Sequence, residues 1–322
     1  MLKNKNKLLG MMAIATAAAA WGIDGVVLTP RLYNLDVSFV VFMLHLLPFL
    51  AMNLFFFREY SHLSRFSRTD FIFLCLIALL GGAVGTMSIV KALFLVNFQN
   101  LSVVVLLQKL QPVFAIVMAA VILKEKVTSE FFKWASLAII GSYFLSFGGQ
   151  LPNIGTDRNT LYAVGFSLLA AFSFGSATVF GKRIMMNYEF TTATFYRYAL
   201  TTLIMLFYVT FLGTIGQWTE ISPMNWGIFV LIGLTTGSGA IALYYFGLKK
   251  VTAMVSTICE LFFPISAIFF DYLVNDSLLS PIQWGSALVM VYAIFRISSI
   301  AKGTESREEN EGFSAVIVET ES

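Results

Sequence analysis

The sequence predicts an all-α polytopic membrane protein in which ten transmembrane helices form two inverted five-helix repeats. Three observations support this fold class. First, 58% of the 322 residues are apolar and only 12% are charged, whereas a soluble chain of this length needs far more charge to cover its surface. Second, ten apolar stretches are long enough to cross a bilayer. Third, the two halves of the chain carry matching motifs.

The ten helices follow from a window of about 20 residues, the length that crosses roughly 30 Å of hydrocarbon. The first stretch also resembles a cleavable signal peptide, but its loss would break the repeat. Pro48, Pro112 and Pro264 lie inside stretches, where neighbouring helices and local kinks can satisfy the carbonyls that proline frees. The predicted spans are 8–28, 37–57, 71–96, 101–123, 131–148, 161–180, 193–213, 226–247, 253–273 and 282–300.

The distribution of lysine and arginine predicts the orientation. If the N-terminus lies in the cytoplasm, sixteen of the 21 lysines and arginines fall on the cytoplasmic side, and only Arg31 and Arg158 fall outside. The positive-inside rule therefore predicts a multi-pass protein of the cell (inner) membrane with both termini in the cytoplasm. The net charge of +3 is small and scattered, which argues against a nucleic-acid partner.

The two halves of the chain resemble each other in sequence. Several of the matched positions are glycines, which let two helices approach closely. Because each half has five helices, an odd number, the second copy must enter the membrane upside down. The matched segments of the first and second halves are Trp21-Gly22 and Phe174-Gly175, Gly81 and Gly233, Gly85 and Gly237, 111–116 and 263–268, and 134–136 and 284–286.

Loop charge supports the inversion. The loop Lys124-Glu125-Lys126 of the first half is basic, whereas the matching Asn275-Asp276-Ser277 has no basic residue and falls on the other side. We therefore expect five regions along the chain. They are a cytoplasmic N-terminus at 1–7, a first repeat at 8–148, an outside linker at 149–160, a second repeat at 161–300 and an acidic, disordered cytoplasmic tail at 301–322.

The segment around Pro112 resembles the drug/metabolite transporter superfamily, of the EamA type. The similarity spans about residues 8–300 and is clearest in Leu106 to Ala115 and in Leu123 to Lys126. Members often have an acidic residue where this chain has Gln111, and the second copy has Asn275-Asp276 where a glutamate is expected. The resemblance implies ten helices in two inverted repeats and a carrier of small metabolites, frequently an exporter driven by exchange or by an ion gradient.

Two opposite charges, Lys109 and Glu260, precede prolines by at most four residues. Each is about 12 Å deep at 1.5 Å per residue, and a charge at that depth is costly unless it lines a wet cavity or has a partner. We predict that the two charges pair in a cavity or hold the substrate, with a purely structural ion pair as the alternative. Glu260 could also carry a coupling proton, and Gln108 and Gln111 could offer amide hydrogen bonds to the substrate or join helices.

Four further polar residues are candidates for substrate binding or coupling. Asp24, Lys91 and Arg197 lie near span ends, at the two mouths of the predicted cavity, where snorkelling to the interface is the alternative. Asp24 also follows Trp21-Gly22, where a broken helix could expose backbone groups. His45 lies near the midplane, and a hydrogen-bonded core histidine is favoured there over a proton relay.

The pattern favours a carrier over other classes of membrane protein. Inverted repeats with deep charges suit alternating access about a midplane site, whereas a channel would need rings of like charge or of carbonyls. The sequence has no catalytic constellation or phosphate-binding loop, and Cys75 and Cys259 lack metal or redox spacing. We therefore expect neither an enzyme nor a cofactor.

We predict a secondary-active transporter, an exporter or exchanger, of a small polar metabolite. The three intramembrane cations outnumber the two intramembrane anions, which favours an amino-acid-like substrate. Its partners would be that small molecule, a coupling proton or counter-substrate, and the lipid bilayer, with the carrier a monomer or a homodimer. The alternative is a non-transporting membrane protein, such as a channel, a receptor or an enzyme subunit.

Overall fold

The computed structural model describes residues 2–96, 104, 107–108, 110–151, 158–275, 280–297 and 299–300. These residues form helices joined by short loops, and no strand occurs among them, which confirms the predicted all-α class. The helical segments are α1 (Lys5–Leu32), α2 (Val37–Phe55), α3 (Arg68–Leu95), α4 (Gln111–Ile122), α5 (Ser129–Phe147), α6 (Arg158–Met185), α7 (Phe190–Leu212), α8 (Pro223–Lys250), α9 (Ala253–Val274) and α10 (Pro281–Ile297).

The helical segments overlap the predicted spans, but α4 covers only the second part of the span 101–123, because most of its first part lies outside the described residues. Within the described residues, seven of them, α1 to α3 and α6 to α9, are long and apolar enough to cross a membrane. α4 and α10 are shorter apolar helices, so the exact number of crossings stays a prediction, as do the region boundaries. Half of the predicted linker, residues 152–157, and the whole acidic tail lie outside the described residues.

Short polar side chains and glycines set the helix ends. A side-chain oxygen at each capped start accepts a hydrogen bond from a backbone N–H that the first turn leaves unpaired. Gly148 and Gly213 end α5 and α7 in the left-handed conformation that glycine adopts without strain. The capping residues are Asp36 for α2, Ser67 for α3, Thr128 for α5, Ser222 for α8 and Thr252 for α9.

The loops gather on two faces of the helix bundle. On one, which we call the basic face, the carboxylate of Glu125 after α4 accepts hydrogen bonds from the N–H groups of Ala253 and Met254 at the start of α9, at 2.8 and 3.0 Å. On the opposite face, Asn34 after α1 donates to Asn225 at the start of α8 at 3.2 Å. α1 runs from the basic face to the opposite face and α6 runs back, so the two halves are inverted as predicted.

A 3₁₀-helical segment crosses from the first half to the second on the basic face. The segment Phe57–Arg65 follows α2. Its Glu59 carboxylate accepts a hydrogen bond from Thr192 at 2.8 Å, and its Glu59 carbonyl accepts one from Tyr196 at 3.0 Å. We call this contact with the start of α7 the basic-face latch.

The matching segment Thr214–Glu220 follows α7 on the opposite face. The side-chain oxygen of its Gln217 accepts a hydrogen bond from the N–H of Asp36 at 2.8 Å, and Thr214 lies 2.9 Å from the hydroxyl of Ser38. We call this contact with the start of α2 the opposite-face latch. Each half therefore contributes one such contact, each on a different face of the bundle.

Matched contacts between the halves place the helices around a pseudo-twofold axis. α1 packs on α8 and α9, and α6 packs on α3 and α4 in the same way. A Cβ atom on Gly22 of α1 would lie 2.7 Å from the backbone N of Ala267, and one on Gly175 of α6 would lie 3.0 Å from the backbone N of Ala115. Glycine is required at both positions because backbone lies against backbone.

Two helices widen at the matched glycine pairs. The π-helical turns are Ile77–Val84 in α3 and Gly233–Gly237 in α8. In each turn a hydroxyl five residues further on donates to the carbonyl of the first glycine, Thr86 to Gly81 at 3.4 Å and Ser238 to Gly233 at 2.6 Å. Because π-helical turns bend helices and often mark functional sites, these two turns are candidate hinges.

Two helices depart from regular α-helical geometry near the predicted positions. The α-helix of α1 continues through Trp21-Gly22 to Ile23 and then widens into a π-helical turn, Asp24–Leu28. A second interruption lies in α9, at Glu260 and Leu261. Pro264 has no N–H to offer the carbonyl of Glu260, and the N–H of Phe263 donates to it at 2.9 Å instead.

Candidate functional site

Glu260 lies half-buried at the interruption of α9, and donors from four helices surround its carboxylate. Its Oε2 accepts a hydrogen bond from the amide of Gln111 in α4 at 2.7 Å. Its Oε1 accepts from the hydroxyl of Tyr244 in α8 at 3.0 Å. Ser256 of α9 and Thr178 of α6 donate to the same oxygen at 3.4 and 3.5 Å.

The described groups around Glu260 are neutral. A carboxylate can accept about four hydrogen bonds, and Oε2 has a single partner among the described residues, Gln111. This oxygen can therefore accept a further bond from a hydroxyl or N–H of a substrate, or take up a proton. Because α4 comes from the first half and α6, α8 and α9 from the second, this carboxylate lies between the two halves.

Aromatic rings adjoin the carboxylate. The ring of Trp21 in α1 lies 5.5 Å from that of Tyr244, centroid to centroid, and Tyr244 lies 5.5 Å from Tyr245. Trp21 is half-buried. The site thus combines an apolar aromatic surface with a small set of polar groups, as sites for small organic molecules do.

Arg197 forms a second polar centre on the other side of the tyrosine pair. Its guanidinium donates to the hydroxyl of Tyr245 at 3.1 Å and to the carbonyl of Gly81 at 2.7 Å. Its Nε has no hydrogen-bond partner among the described residues, and only 8% of the residue is exposed. α7 begins at Phe190, earlier than the predicted span, so Arg197 lies deeper than expected; its burial excludes snorkelling and a position at a mouth.

Asp24 and His45 have hydrogen-bond partners other than Glu260. Asp24 accepts a hydrogen bond from Thr29 at 2.8 Å within α1. The buried ring of His45 lies with Nδ1 2.8 Å from the carbonyl of Val41 and stacks on Tyr198 at 5.3 Å. These contacts fit the favoured hydrogen-bonded core histidine.

The remaining candidates are only partly placed by the structure. Lys91 is exposed on α3 and Gln108 is half-buried. Lys109 lies outside the described residues, so its predicted pairing with Glu260 stays a prediction. The structure brings together Glu260 and Gln111 from the predicted set.

Sequence reasoning missed several groups that contact the two polar centres. Ser256 could have been found, because it precedes Glu260 by four residues and therefore shares its helix face. Thr178 follows the matched Gly175 by three residues in α6, a weaker signal. Tyr244 and Tyr245 carry no signal in an apolar helix, because only the packing of α8 brings their hydroxyls to Glu260 and Arg197.

An apolar cavity of about 320 Å³ lies elsewhere, between α1, α5, α9 and α10. Its lining includes Phe262, Ile265 and Phe269, whereas its polar lining is confined to Ser266 and Gln283. A cavity without a charged group suits an acyl chain or an apolar ring better than a polar metabolite. We therefore place the candidate site at Glu260 and not in this cavity.

The chain is similar to transporters along nearly its whole length. The profile of the EamA-like transporter family matches residues 8–147 and 161–299. Riboflavin transporter ImpX of Fusobacterium nucleatum subsp. nucleatum is 51% identical over 296 residues, which are 92% of this chain and 99% of that protein. Uncharacterized transporter sll1164 of Synechocystis sp. is 24% identical over 251 residues, 76% of this chain and 71% of that protein.

A solved crystal structure gives an independent comparison. It superposes with a TM-score of 0.62 over 94% of this chain and 98% of its own chain, at 14% identity. At that identity the likeness shows a shared fold alone.

Proposed function

Since the chain belongs to the EamA-like transporter family, we propose that it carries riboflavin across the membrane by alternating access at the Glu260 site. It is a transporter of a small metabolite and not an enzyme. The observation that carries the choice of riboflavin is the relative named as a riboflavin transporter, which is 51% identical and is covered over 99% of its length. Identity at that level over a whole carrier favours a shared substrate class.

The geometry suits the chemistry of a flavin. Riboflavin joins a flat, uncharged three-ring system to a chain of hydroxyl groups. The Trp21 and Tyr244 rings offer an aromatic surface for stacking, and the free capacity of Glu260 Oε2 and the Gln111 amide suit hydroxyl and N–H groups. The charge count in the sequence favoured an amino-acid-like substrate, but the neutral groups around Glu260 support a neutral one.

Transport by the purified protein in liposomes tests the proposal. We expect saturable uptake of labelled riboflavin and counterflow from liposomes preloaded with unlabelled riboflavin. An excess of unlabelled riboflavin should compete, and a mixture of amino acids should not. If amino acids compete and unlabelled riboflavin does not, the substrate is amino-acid-like, as the charge count favoured, and is not riboflavin.

The aromatic surface has its own test. Trp21→Ala should weaken riboflavin binding about tenfold, a loss of about 1.4 kcal/mol and within the range of aromatic stacking. Quenching of flavin fluorescence in detergent measures the affinity. Trp226→Ala, which removes a ring that is 37% exposed near the start of α8, is the matched control, and equal affinities of the two variants would remove Trp21 from the site.

Direction and coupling form a finer part of the proposal. We propose an exporter or exchanger in which Glu260 takes up the coupling proton, because it is a half-buried carboxylate held by neutral donors. Glu260→Gln should abolish accumulation driven by a pH gradient and leave exchange partly intact. Equal gradient dependence in the wild type and Glu260→Gln would assign the coupling to another group.

The orientation is proposed from the loop charges. Basic loops favour the cytoplasm, so the basic face is the cytoplasmic face of the cell membrane in this proposal. Cysteines placed at Ser64 and Ser129 in a Cys-free protein should react with an impermeant maleimide only from the cytoplasmic side. Labelling of either from outside would reverse the orientation.

A further inference from the structure

The π-helical turn of α3 is held from outside by two side chains of α7. The guanidinium of Arg197 donates to the carbonyl of Gly81 at 2.7 Å, and the hydroxyl of Thr201 donates to the carbonyl of Ala78 at 3.1 Å. Arg197 and Thr201 are four residues apart and therefore share one face of α7. Because α3 belongs to the first half and α7 to the second, these bonds join the halves.

The contact is tight. A Cβ atom on Gly82 would collide with the hydroxyl of Thr201, and one on Gly81 would lie 3.1 Å from the guanidinium of Arg197. Both α7 residues are buried. A buried guanidinium that loses its partners is strongly disfavoured, so this contact is not one that the protein opens freely.

The matched π-helical turn of α8 is held differently. There α2, the counterpart of α7, presents the ring of Pro48, at an ordinary packing distance of 3.4 Å from a Cβ atom on Gly233. Both first carbonyls accept a hydroxyl of their own helix. Proline has no donor to offer the carbonyl of Gly233, whereas the carbonyl of Gly81 also accepts from Arg197. Within the described residues, bonds from side chains of the other half to carbonyls of the turn are therefore present at the α3 turn.

We propose that Arg197 and Thr201 are positioning residues for transport, which hold α3 bent at its π-helical turn and tie it to α7 as a fixed pivot while the halves rock. The bent helix needs partners for carbonyls that a regular α-helix would bond itself, and these two side chains supply them at Gly81 and Ala78. In this role Arg197 orders the pivot and does not touch the substrate.

A matched pair of adjacent threonines tests the pivot. Thr201→Val removes the bond to Ala78, whereas Thr202→Val removes a buried hydroxyl that has no hydrogen-bond partner among the described residues. Thr201→Val should lower the maximal rate of riboflavin transport about fivefold, the factor that corresponds to one hydrogen bond, with KM changed less than twofold. Thr202→Val should match the wild type.

Hydrogen exchange provides a readout that needs no substrate. In Thr201→Val, amides of 77–84 should exchange about fivefold faster, and those of 233–237 should not change. Equal exchange in both threonine variants, or a raised KM with an unchanged maximal rate, would overturn the pivot. If Thr201→Val does not fold, Tyr245→Phe takes its place, because it removes the hydroxyl that accepts a bond from Arg197. It must then show faster exchange in 77–84 than in 233–237 and a lower maximal rate with little change in KM. Hydrogen exchange is measured without substrate, so the pivot can be confirmed even if riboflavin is not the substrate. Riboflavin transport can likewise be confirmed even if the exchange rates do not change.

Discussion

The two halves of the protein agree in how their helices pack and differ in the side chains that they bring to the centre. Gly22 lies against the proline helix of the second half, and Gly175 lies against that of the first at the matched position. Yet four residues before each proline the first half has Gln108 and the second has Glu260. The similar packing preserves the inverted scaffold. Because the central residues differ, the second half provides both the Glu260 carboxylate and the bonds from Arg197 and Thr201 to α3.

The largest expected effect tests whether the first half supplies an opposite charge that pairs with Glu260. If Lys109 pairs with Glu260, Lys109→Met or Glu260→Gln alone strands a buried charge and should cost about 3–5 kcal/mol of stability. The double variant should be more stable than either single variant, because it leaves no unpaired charge. Thermal unfolding of all four proteins in detergent measures the coupling.

Transport assays on the same four proteins distinguish a loss of stability from a loss of substrate contact. If Lys109 also touches the substrate, the double variant should stay inactive although its stability is restored. Strictly additive losses of stability would mean that the two residues do not meet, and the difference between the halves would then rest on Glu260 alone.

The shared packing is tested at its two matched glycines. Gly22→Ala and Gly175→Ala each force a Cβ atom to within 3.0 Å of backbone, and overpacking of this kind costs about 1–3 kcal/mol. Gly165→Ala is the control in α6, because no atom lies within 4 Å of its added Cβ. It should be neutral or stabilising, since alanine favours helix by about 1 kcal/mol.

The two glycine variants should be destabilised alike if the packing is truly shared. The free energy of unfolding in denaturant provides the comparison. A loss at Gly175 with none at Gly22 would show that only one of the two matched contacts is tight.

The two latches are tested by one threonine each. Thr192→Val removes the bond to Glu59 on the basic face, and Thr214→Val removes the contact with Ser38 on the other, each a loss of about 1 kcal/mol. Each variant should open its own face about fivefold more often. The reporter is the native Cys259, which is buried beside Glu260, in a Cys75→Ala background.

Labelling of Cys259 by an impermeant maleimide, added from one side at a time, measures access. Thr192→Val should speed labelling from the basic face, and Thr214→Val from the opposite face. If both variants speed labelling from the same face, the latches do not act separately.

The sequence identifies the scaffold better than the site for a physical reason. Hydropathy and matched glycines report where helices run and touch, and they locate the proline frames correctly. They do not report hydrogen-bond register, so the break at Glu260 and the π-helical turns are found only in the structure. The sequence predicts too shallow a depth for Arg197. The structure begins α7 at Phe190, and the two threonines that follow Phe190 extend the helix beyond the apolar stretch.

The smallest expected effect concerns alkaline pH and should appear on the basic face. Tyr188, in the loop between α6 and α7, donates to the carboxylate of Asp70 at 2.9 Å. Partial burial, and then the bond to Asp70 and its charge, raise the pKa of Tyr188 above 10.0. Because the folded pKa is the higher one, the stability that this phenol contributes is fully present below about pH 10 and is lost as the pH rises through the folded pKa.

Tyr188→Phe should therefore lower the free energy of unfolding by about 1 kcal/mol near pH 8, the usual size for one hydrogen bond, and the difference from the wild type should shrink above pH 10. Tyr208→Phe, which changes a tyrosine that is 41% exposed on α7, is the control for loss of a phenol hydroxyl and should leave the free energy of unfolding near pH 8 unchanged. Unfolding in denaturant from pH 8 to pH 11 measures these free energies.

The opposite-face latch joins Ser38 to Thr214 through hydroxyls, so the stability difference between Thr214→Val and the wild type should not vary with pH. A constant difference for Tyr188→Phe up to pH 11 would mean that this bond does not distinguish the two faces.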